Sequence, residues 1–396
     1  MHEARTNGLL RRREAGAERV TFMELFFDLV YVFAVTQLSH GLLEHLTVRG
    51  AFQTLLLLLA VWWAWIYTTW VTNWFDPNHP TVRLMLIGVM LGSLLMATAI
   101  PEAFGGRGLL FAGAYVAIQL GRTAFAVIAT RHDPSLGPNF QRMLCWFALA
   151  GVFWVAGGLA DGGMREALWV AAILIDLAAP LAGFYVPGVG RSHTTDWTIS
   201  GAHLAERCQL FLILSLGESI LITGATLTGM ELTRPVVTAF VIAFIGSVTF
   251  WWIYFNRSGE WAAEQIEASD DPGRIGRAVY TYIQLPMVAG IIVAAVADEL
   301  IIAHPEGHTA TATAAVALGG PMLFLAGHAL LKWVLSGQFP RSRFITIVVL
   351  ALLFPVGLEV SPLALGGMAT AVVVAFAAWD TWAYHRMPHT LPTAGD

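Results

Sequence analysis

The sequence predicts an all-α fold: a polytopic membrane helix bundle of about 12 transmembrane helices, built as two six-helix repeats of parallel topology. Three observations predict it. The 396-residue chain is 57% hydrophobic and only 12% charged, about half the charged fraction of a soluble domain. Its mean hydropathy is +0.65. Its apolar residues fall into runs of roughly 17–25, the length a helix needs to cross a bilayer. A net charge of −5 gives no basic surface for a nucleic acid, so the predicted partner is the lipid bilayer.

The first six spans are predicted near residues 21–43, 51–74, 83–100, 108–130, 142–160 and 167–186. The second six are predicted near 200–228, 235–255, 277–303, 311–335, 342–358 and 362–384, the last two joined by a short turn at Ser361-Pro362. Residues 1–20 form a basic segment with Arg5, Arg11, Arg12, Arg13 and Arg19. The apolar run after it is too long for a signal-peptide core and lacks a small-residue cleavage site, so it reads as a retained helix. Arginines set the orientation: with the N-terminus cytoplasmic, fifteen lie in inside segments and four outside, at Arg49, Arg107, Arg165 and Arg234. Both termini, including the tail 387–396, are then cytoplasmic in a multi-pass protein of the plasma membrane.

Matching features recur in the same order in 21–190 and 191–386, the two predicted repeats. Asp28 is followed by Trp65-Ile-Tyr67, and Glu218 by Trp252-Ile-Tyr254. Arg83 starts a helix ending near Pro101-Glu102, and Arg277 starts one ending near Asp298-Glu299. Gly121-Arg122 matches Gly327-His328, and Asp176 matches Asp380. Six is even, so both repeats share one topology, with sites expected near the interface between them.

Ionisable groups at membrane depth are costly and mark candidate sites. In the first span Glu24, Asp28 and Tyr31 follow i, i+4, i+7 and share a face. Their functional reading is a polar lining, and their structural reading an interhelical hydrogen-bond cluster. In the second span Trp63, Tyr67, Trp70 and Trp74 form one stripe. Trp70 and Trp74 read as an interfacial belt, and Trp63 and Tyr67, with Tyr31, as candidate cavity walls or packing. Arg122 in the fourth span must be paired or hydrated, with Asp28, Asp176 and Glu218 as the anions at depth. In the seventh span His203, Glu206 and Arg207 make a polar helix start. Arg207 and Glu218 are eleven residues apart, roughly 16 Å along the axis, so each needs another partner.

These residues carry a resemblance. Glu24-Leu-Phe-Phe-Asp28-Leu-Val-Tyr-Val-Phe-Ala, Trp62-Trp63-Ala-Trp65-Ile-Tyr67, Asp196-Trp197, His203-Leu-Ala-Glu206-Arg207 and Leu216-Gly217-Glu218-Ser219-Ile are similar, in order and spacing, to the bacterial low temperature requirement protein A (LtrA) family. The resemblance implies a polytopic membrane protein named for a link to growth in the cold, and no particular reaction. Phe27-Asp28 is also similar in kind to a Phe-Ser-Asp motif of potassium channels built from six-helix repeats, without the serine.

The functional expectation is a secondary transporter or ion pathway for a small solute or ion. Asp28 and Glu218 are its expected ion- or proton-linked carboxylates, facing each other across a pseudo-two-fold axis. Arg122 is expected within pairing reach of at least one of them, with Asp176 in support. A membrane enzyme acting on a lipid or isoprenoid substrate is the second reading. It would need general acids and bases, but the sequence has no nucleophile–base pair. A non-catalytic stress-adaptation scaffold is the third. Cys145 and Cys208 read as small core residues, no cofactor or metal motif occurs in a credible context, and an oligomer is compatible with the sequence.

Overall fold

The computed structural model describes residues 8–11, 20–192, 200–256 and 276–386. Arg5, Arg12, Arg13, Arg19, Arg257 and Arg274, the Asp196-Trp197 motif and the tail 387–396 lie outside the described residues. The described chain forms twelve α-helices and no strand. They are α1 Phe22–Glu44, α2 Val48–Trp74, α3 Pro80–Ala99, α4 Gly108–Ala129, α5 Leu136–Leu159 and α6 Gly162–Leu181. After them come α7 Gly201–Thr228, α8 Arg234–Phe255, α9 Gln284–Ala303, α10 Thr311–Ser336, α11 Arg341–Gly357 and α12 Pro362–Arg386. A 3-10 turn, Ile100–Glu102, ends α3, and a π-helical stretch, Arg277–Ile283, leads into α9.

Ten of these helices are long and apolar enough to cross a membrane. The other two differ for local reasons. α6 holds Arg165, Glu166 and Asp176 within its 20 residues, and α11 has 17 residues, about 25 Å of helix against a hydrocarbon core of about 30 Å. Large apolar side chains such as Leu84, Leu91, Ile128, Val152, Leu221 and Leu352 are exposed, as lipid-facing positions of a bundle should be. Helix ends follow capping chemistry. Thr21 and Glu24 make a reciprocal capping box at α1. The Asp133 carboxylate accepts the Ser135 and Leu136 N–H groups, which starts α5 at Leu136, before the predicted 142.

The described residues fall into two compact units. The first contains those up to Glu218 and those from Gly276 to Leu285. Its centre is α2, whose apolar window is 78% buried against 44% for α1, α3 and α4. α2 packs on α1, α4 and α6, and α3 to α6 pack each on the next. The π-helical stretch belongs to this core: the Thr281 carbonyl accepts from Trp62 Nε1 at 2.7 Å, and Tyr282 stacks edge-on to Trp63. Trp74 is buried beneath Phe140, so the interfacial belt predicted for it does not form.

Arg165, predicted in an outer loop, is folded inward. Its guanidinium donates to the carbonyls of Gly157, Ala160, Ala103 and Gly105 at 2.7–3.2 Å, and to Asp161 Oδ1 at 3.1 Å. It thereby satisfies carbonyls at the end of α5 and after the 3-10 turn, groups a helix terminus leaves without partners. Arg165→Ala should cost on the order of 3 kcal/mol, since several buried acceptors lose a charged donor together. Thermal unfolding of detergent-solubilised protein checks this, and a melting temperature equal to wild type would refute the clamp.

The second unit contains Ser219 to Asn256 and Pro286 to Arg386. α8 packs on α12, and α10, α11 and α12 pack on one another. α9 and α10 meet through glycines: a Cβ on Gly290 would lie 2.5 Å from Phe324 N, and one on Gly320 2.7 Å from Ala294 N. Arg343 of α11 donates to Asp380 Oδ2 of α12 at 2.7 Å, beside Lys332 Nζ at 3.8 Å. Both cysteines are free, Cys208 buried as expected and Cys145 facing outward, unlike the core position predicted.

Candidate functional site

The first unit contains a buried network of opposite charges between the starts of α1 and α7, with Arg11 at its partly exposed edge. The capping box fixes Glu24, because its Oε2 accepts from the Thr21 N–H and hydroxyl, each at 2.9 Å. Oε1 is thereby turned inward, where it meets Arg11 Nη2 at 2.8 Å, His203 Nε2 at 2.8 Å and Arg207 Nη1 at 3.1 Å. One turn later Asp28 takes Arg207 in a fork, Nη2 to Oδ1 at 2.5 Å and Nε to Oδ2 at 3.0 Å. Trp65 Nε1 completes Asp28 Oδ1 at 2.7 Å. The paired donors of a guanidinium match a carboxylate in this geometry. Two carboxylates and two guanidiniums balance.

The histidine is set by a second layer. The Ser200 backbone orients the Asn73 amide, donating to Oδ1 at 2.9 Å and accepting from Nδ2 at 3.0 Å. Asn73 Nδ2 therefore presents a donor to His203 Nδ1 at 3.1 Å. This contact favours a neutral imidazole protonated at Nε2, which faces Glu24 Oε1 at 2.8 Å and Arg11 Nη2 at 3.1 Å. Glu206, half-buried, accepts the Val20 N–H at 3.0 Å and so holds the chain leading into α1.

Sequence reasoning missed Arg11 here. It read Arg11 as one of several tail charges, but residues 9–11 pair with the end of α2. Arg11 N–H donates to Trp74 O at 2.9 Å, and Asp76 N–H donates to Leu9 O at 2.8 Å. Arg11 Nε donates to Thr72 O at 2.8 Å, which leaves Nη2 for Glu24. Only the arginine triplet hinted at it, without saying which arginine turns inward.

Glu218 differs from Glu24 and Asp28. It is buried on α7 and accepts a hydrogen bond from the Thr36 hydroxyl of α1, and no ion pair to it is found among the described residues. The same hydroxyl lies 3.1 Å from the Val32 carbonyl. Contacts ascend together along the two helices, from Glu24 with His203, through Asp28 with Arg207, to Thr36 with Glu218. α1 and α7 therefore run parallel, side by side, with Asp28 and Glu218 at different heights along them and not opposite each other.

Arg122 does not join Asp28 or Glu218. It donates to Ala64 O at 3.2 Å, Thr68 Oγ1 at 3.0 Å and Gln119 Oε1 at 2.5 Å, between the rings of Tyr67 and Phe147. Carbonyl, amide and aromatic faces take the place of the expected carboxylate. A hydrogen-bond relay links it to Asp176: Gln119 Nε2 donates to Tyr115 Oη at 3.0 Å, and Tyr115 donates to Asp176 Oδ2 at 2.7 Å. Trp154 Nε1 adds a donor to Asp176 at 3.2 Å. Tyr31 is buried against Phe27 and hydrogen-bonds Ser93, while Trp63 and Tyr67 are buried among aromatic rings.

Among the described residues, no three His, Cys, Asp or Glu side chains gather as metal ligands. The chemistry available is charge exchange: buried carboxylates, some neutralised by arginine and some not.

Residues 19–378 match the family profile of the bacterial low temperature requirement A protein (LtrA). An uncharacterized protein of Rhizobium meliloti (strain 1021) is 38% identical over 373 residues, covering 94% of this chain and 91% of that protein. No solved structure matches the chain.

Proposed function

This chain belongs to the bacterial low temperature requirement A family, and from that premise we propose that it is a secondary transporter or ion pathway coupled to a proton or small cation. Glu218 carries the proposal. It is a buried carboxylate in a membrane-spanning helix, held by one hydroxyl and by no ion pair among the described residues. A charge in that setting calls for a positive partner, and a mobile proton or cation supplies one reversibly. The Glu24–Arg207–Asp28 network would then be a charge lock at one end of α1 and α7, opened when a cation competes with Arg207 for the carboxylates.

The parallel course of α1 and α7 supports reading them as the first helices of two six-helix repeats, 21–190 and 191–386. On the arginine distribution the lock lies on the cytoplasmic side of the plasma membrane, with both termini cytoplasmic. One observation favours the scaffold reading instead: the network around Arg207 is fully hydrogen-bonded, as a purely structural cluster would be.

Reconstitution separates the two. Proteoliposomes holding a pH-sensitive dye, given Na+ or K+ gradients, should show ion-coupled pH changes with wild-type protein. Glu218→Gln should lower the rate by at least about tenfold, the scale for losing a charged contact, with the melting temperature retained. Wild-type rates in a folded Glu218→Gln protein, or no flux in wild type, would remove the proposal in favour of the scaffold.

A further inference from the structure

The second unit contains a cavity of about 40 Å³, room for roughly two or three water-sized particles. Its wall is mostly alanine, isoleucine and Phe250, interrupted by four oxygen-bearing side chains: Asp298 of α9, Ser219 of α7, Ser247 of α8 and Thr370 of α12. The helix runs on past Asp298 to Ala303, where the predicted span 277–303 ends, so the carboxylate lies within the span.

None of these four side chains makes a hydrogen bond or ion pair among the described residues. Many helical hydroxyls in this protein behave otherwise. Ser215, Thr223, Thr249 and Thr381 return theirs to a carbonyl of the preceding turn, the ordinary resting place of a helical hydroxyl. Ser219 and Ser247 are buried residues that forgo it. A carboxylate and three hydroxyls from four helices therefore line one small void with no partner among themselves or elsewhere in the described chain.

We infer that this cavity binds one small monovalent alkali cation, with Asp298 as its charged ligand and Ser219, Ser247 and Thr370 as neutral oxygen ligands. Hard oxygen donors suit a hard cation. The single negative charge balances one positive charge, whereas calcium and magnesium sites draw on more carboxylates or keep several waters. The void is too small for an organic solute that fills a usual ligand pocket of roughly 300 Å³ or more. The inference is independent of the transport proposal, because it concerns equilibrium binding at a residue other than Glu218.

The test uses the full chain purified in detergent, at fixed ionic strength, with Na+ or K+ exchanged against N-methylglucamine. Thermal unfolding reports stabilisation by a bound ion, and radioactive Na+ in a scintillation proximity assay reports binding directly. Expected results are saturable stabilisation by Na+ or K+, its loss in Asp298→Asn, and about two- to tenfold weaker binding in Ser247→Ala, the scale of one hydrogen bond. Asp298→Asn removes a charge from an apolar wall, so it should fold at least as well as wild type. Absence of saturable binding in wild type overturns the inference, as does unchanged binding in Asp298→Asn. Binding without flux would fail the transport proposal alone, and flux lost in Glu218→Gln without any binding at Asp298 would fail this inference alone.

Discussion

Replacing Arg207 with alanine should destabilise the protein by about 3–5 kcal/mol, the cost of breaking a buried ion pair by removing one partner. The loss falls unevenly. Glu24 would keep Arg11, His203 and Thr21, but Asp28 would keep only the Trp65 indole. The effect should therefore trace to a stranded Asp28 charge more than to lost attraction. Arg207→Ala combined with Asp28→Asn should recover a large part of the stability, and Arg207→Met with Asp28→Leu should approach wild type, as apolar replacements of buried pairs often do. Arg207→Lys should recover little, because an ammonium cannot reproduce the fork. Melting temperatures of the solubilised variants decide: a double variant as unstable as Arg207→Ala would show that the stranded charge is not the cause. If the paired apolar variant folds but loses flux, the network acts as a lock and not as a brace.

The fold was legible because a bilayer writes its thickness into the sequence. A run of about 20 apolar residues matches the hydrocarbon core in length, and soluble domains seldom carry one. The twelve helices lie close to the predicted places. The family was legible from motifs around Asp28, Trp65, Arg207 and Glu218, which the match over residues 19–378 bears out. Pairing was not legible. An arginine at depth demands partners, but spacing cannot say which helix supplies them. Arg122 was expected to meet a carboxylate and met Gln119 and two rings instead, because α4 lies against α2 and α5. Asp28 found Arg207 only because α1 and α7 lie side by side, a contact spanning 179 positions of sequence.

A further misreading has a physical cause. Arg165 sits near a span end, where charged residues usually meet water, so the pattern assigned it to a loop, while Asp298, inside the predicted span 277–303, carried no sign of what it faces. In the folded chain Arg165 is buried by four carbonyls, and Asp298 lines a cavity. A loop reading takes water as the default partner. The exceptions are the positions where backbone acceptors or a void replace water, and neither leaves a mark in residue spacing.

The second large effect is expected where α9 crosses α10. Gly320→Ala places a Cβ 2.7 Å from Ala294 N and 2.9 Å from Ala294 Cα, and Gly290→Ala places one 2.5 Å from Phe324 N and 2.8 Å from Gly320 O. The obstructing atoms are backbone, so no side chain can turn aside. The helices must part, as at any close small-residue crossing in a membrane, and the loss should be about 3 kcal/mol, the upper range for overpacking. Gly319 is the control on the same helix: nothing lies within 4 Å of its Cβ position, so Gly319→Ala should be neutral or stabilise by up to about 1 kcal/mol through helix propensity. Equal melting temperatures for Gly319→Ala and Gly320→Ala would refute the crossing. The crossing also shapes the Asp298 cavity, since Ala294, Ala317 and Pro321 line it from these two helices. Gly320→Ala should therefore weaken alkali-cation stabilisation even in the fraction that remains folded, while Gly319→Ala leaves it intact. The same glycine contact would then set both the packing of the unit and the dimensions of the void beside its unpaired carboxylate.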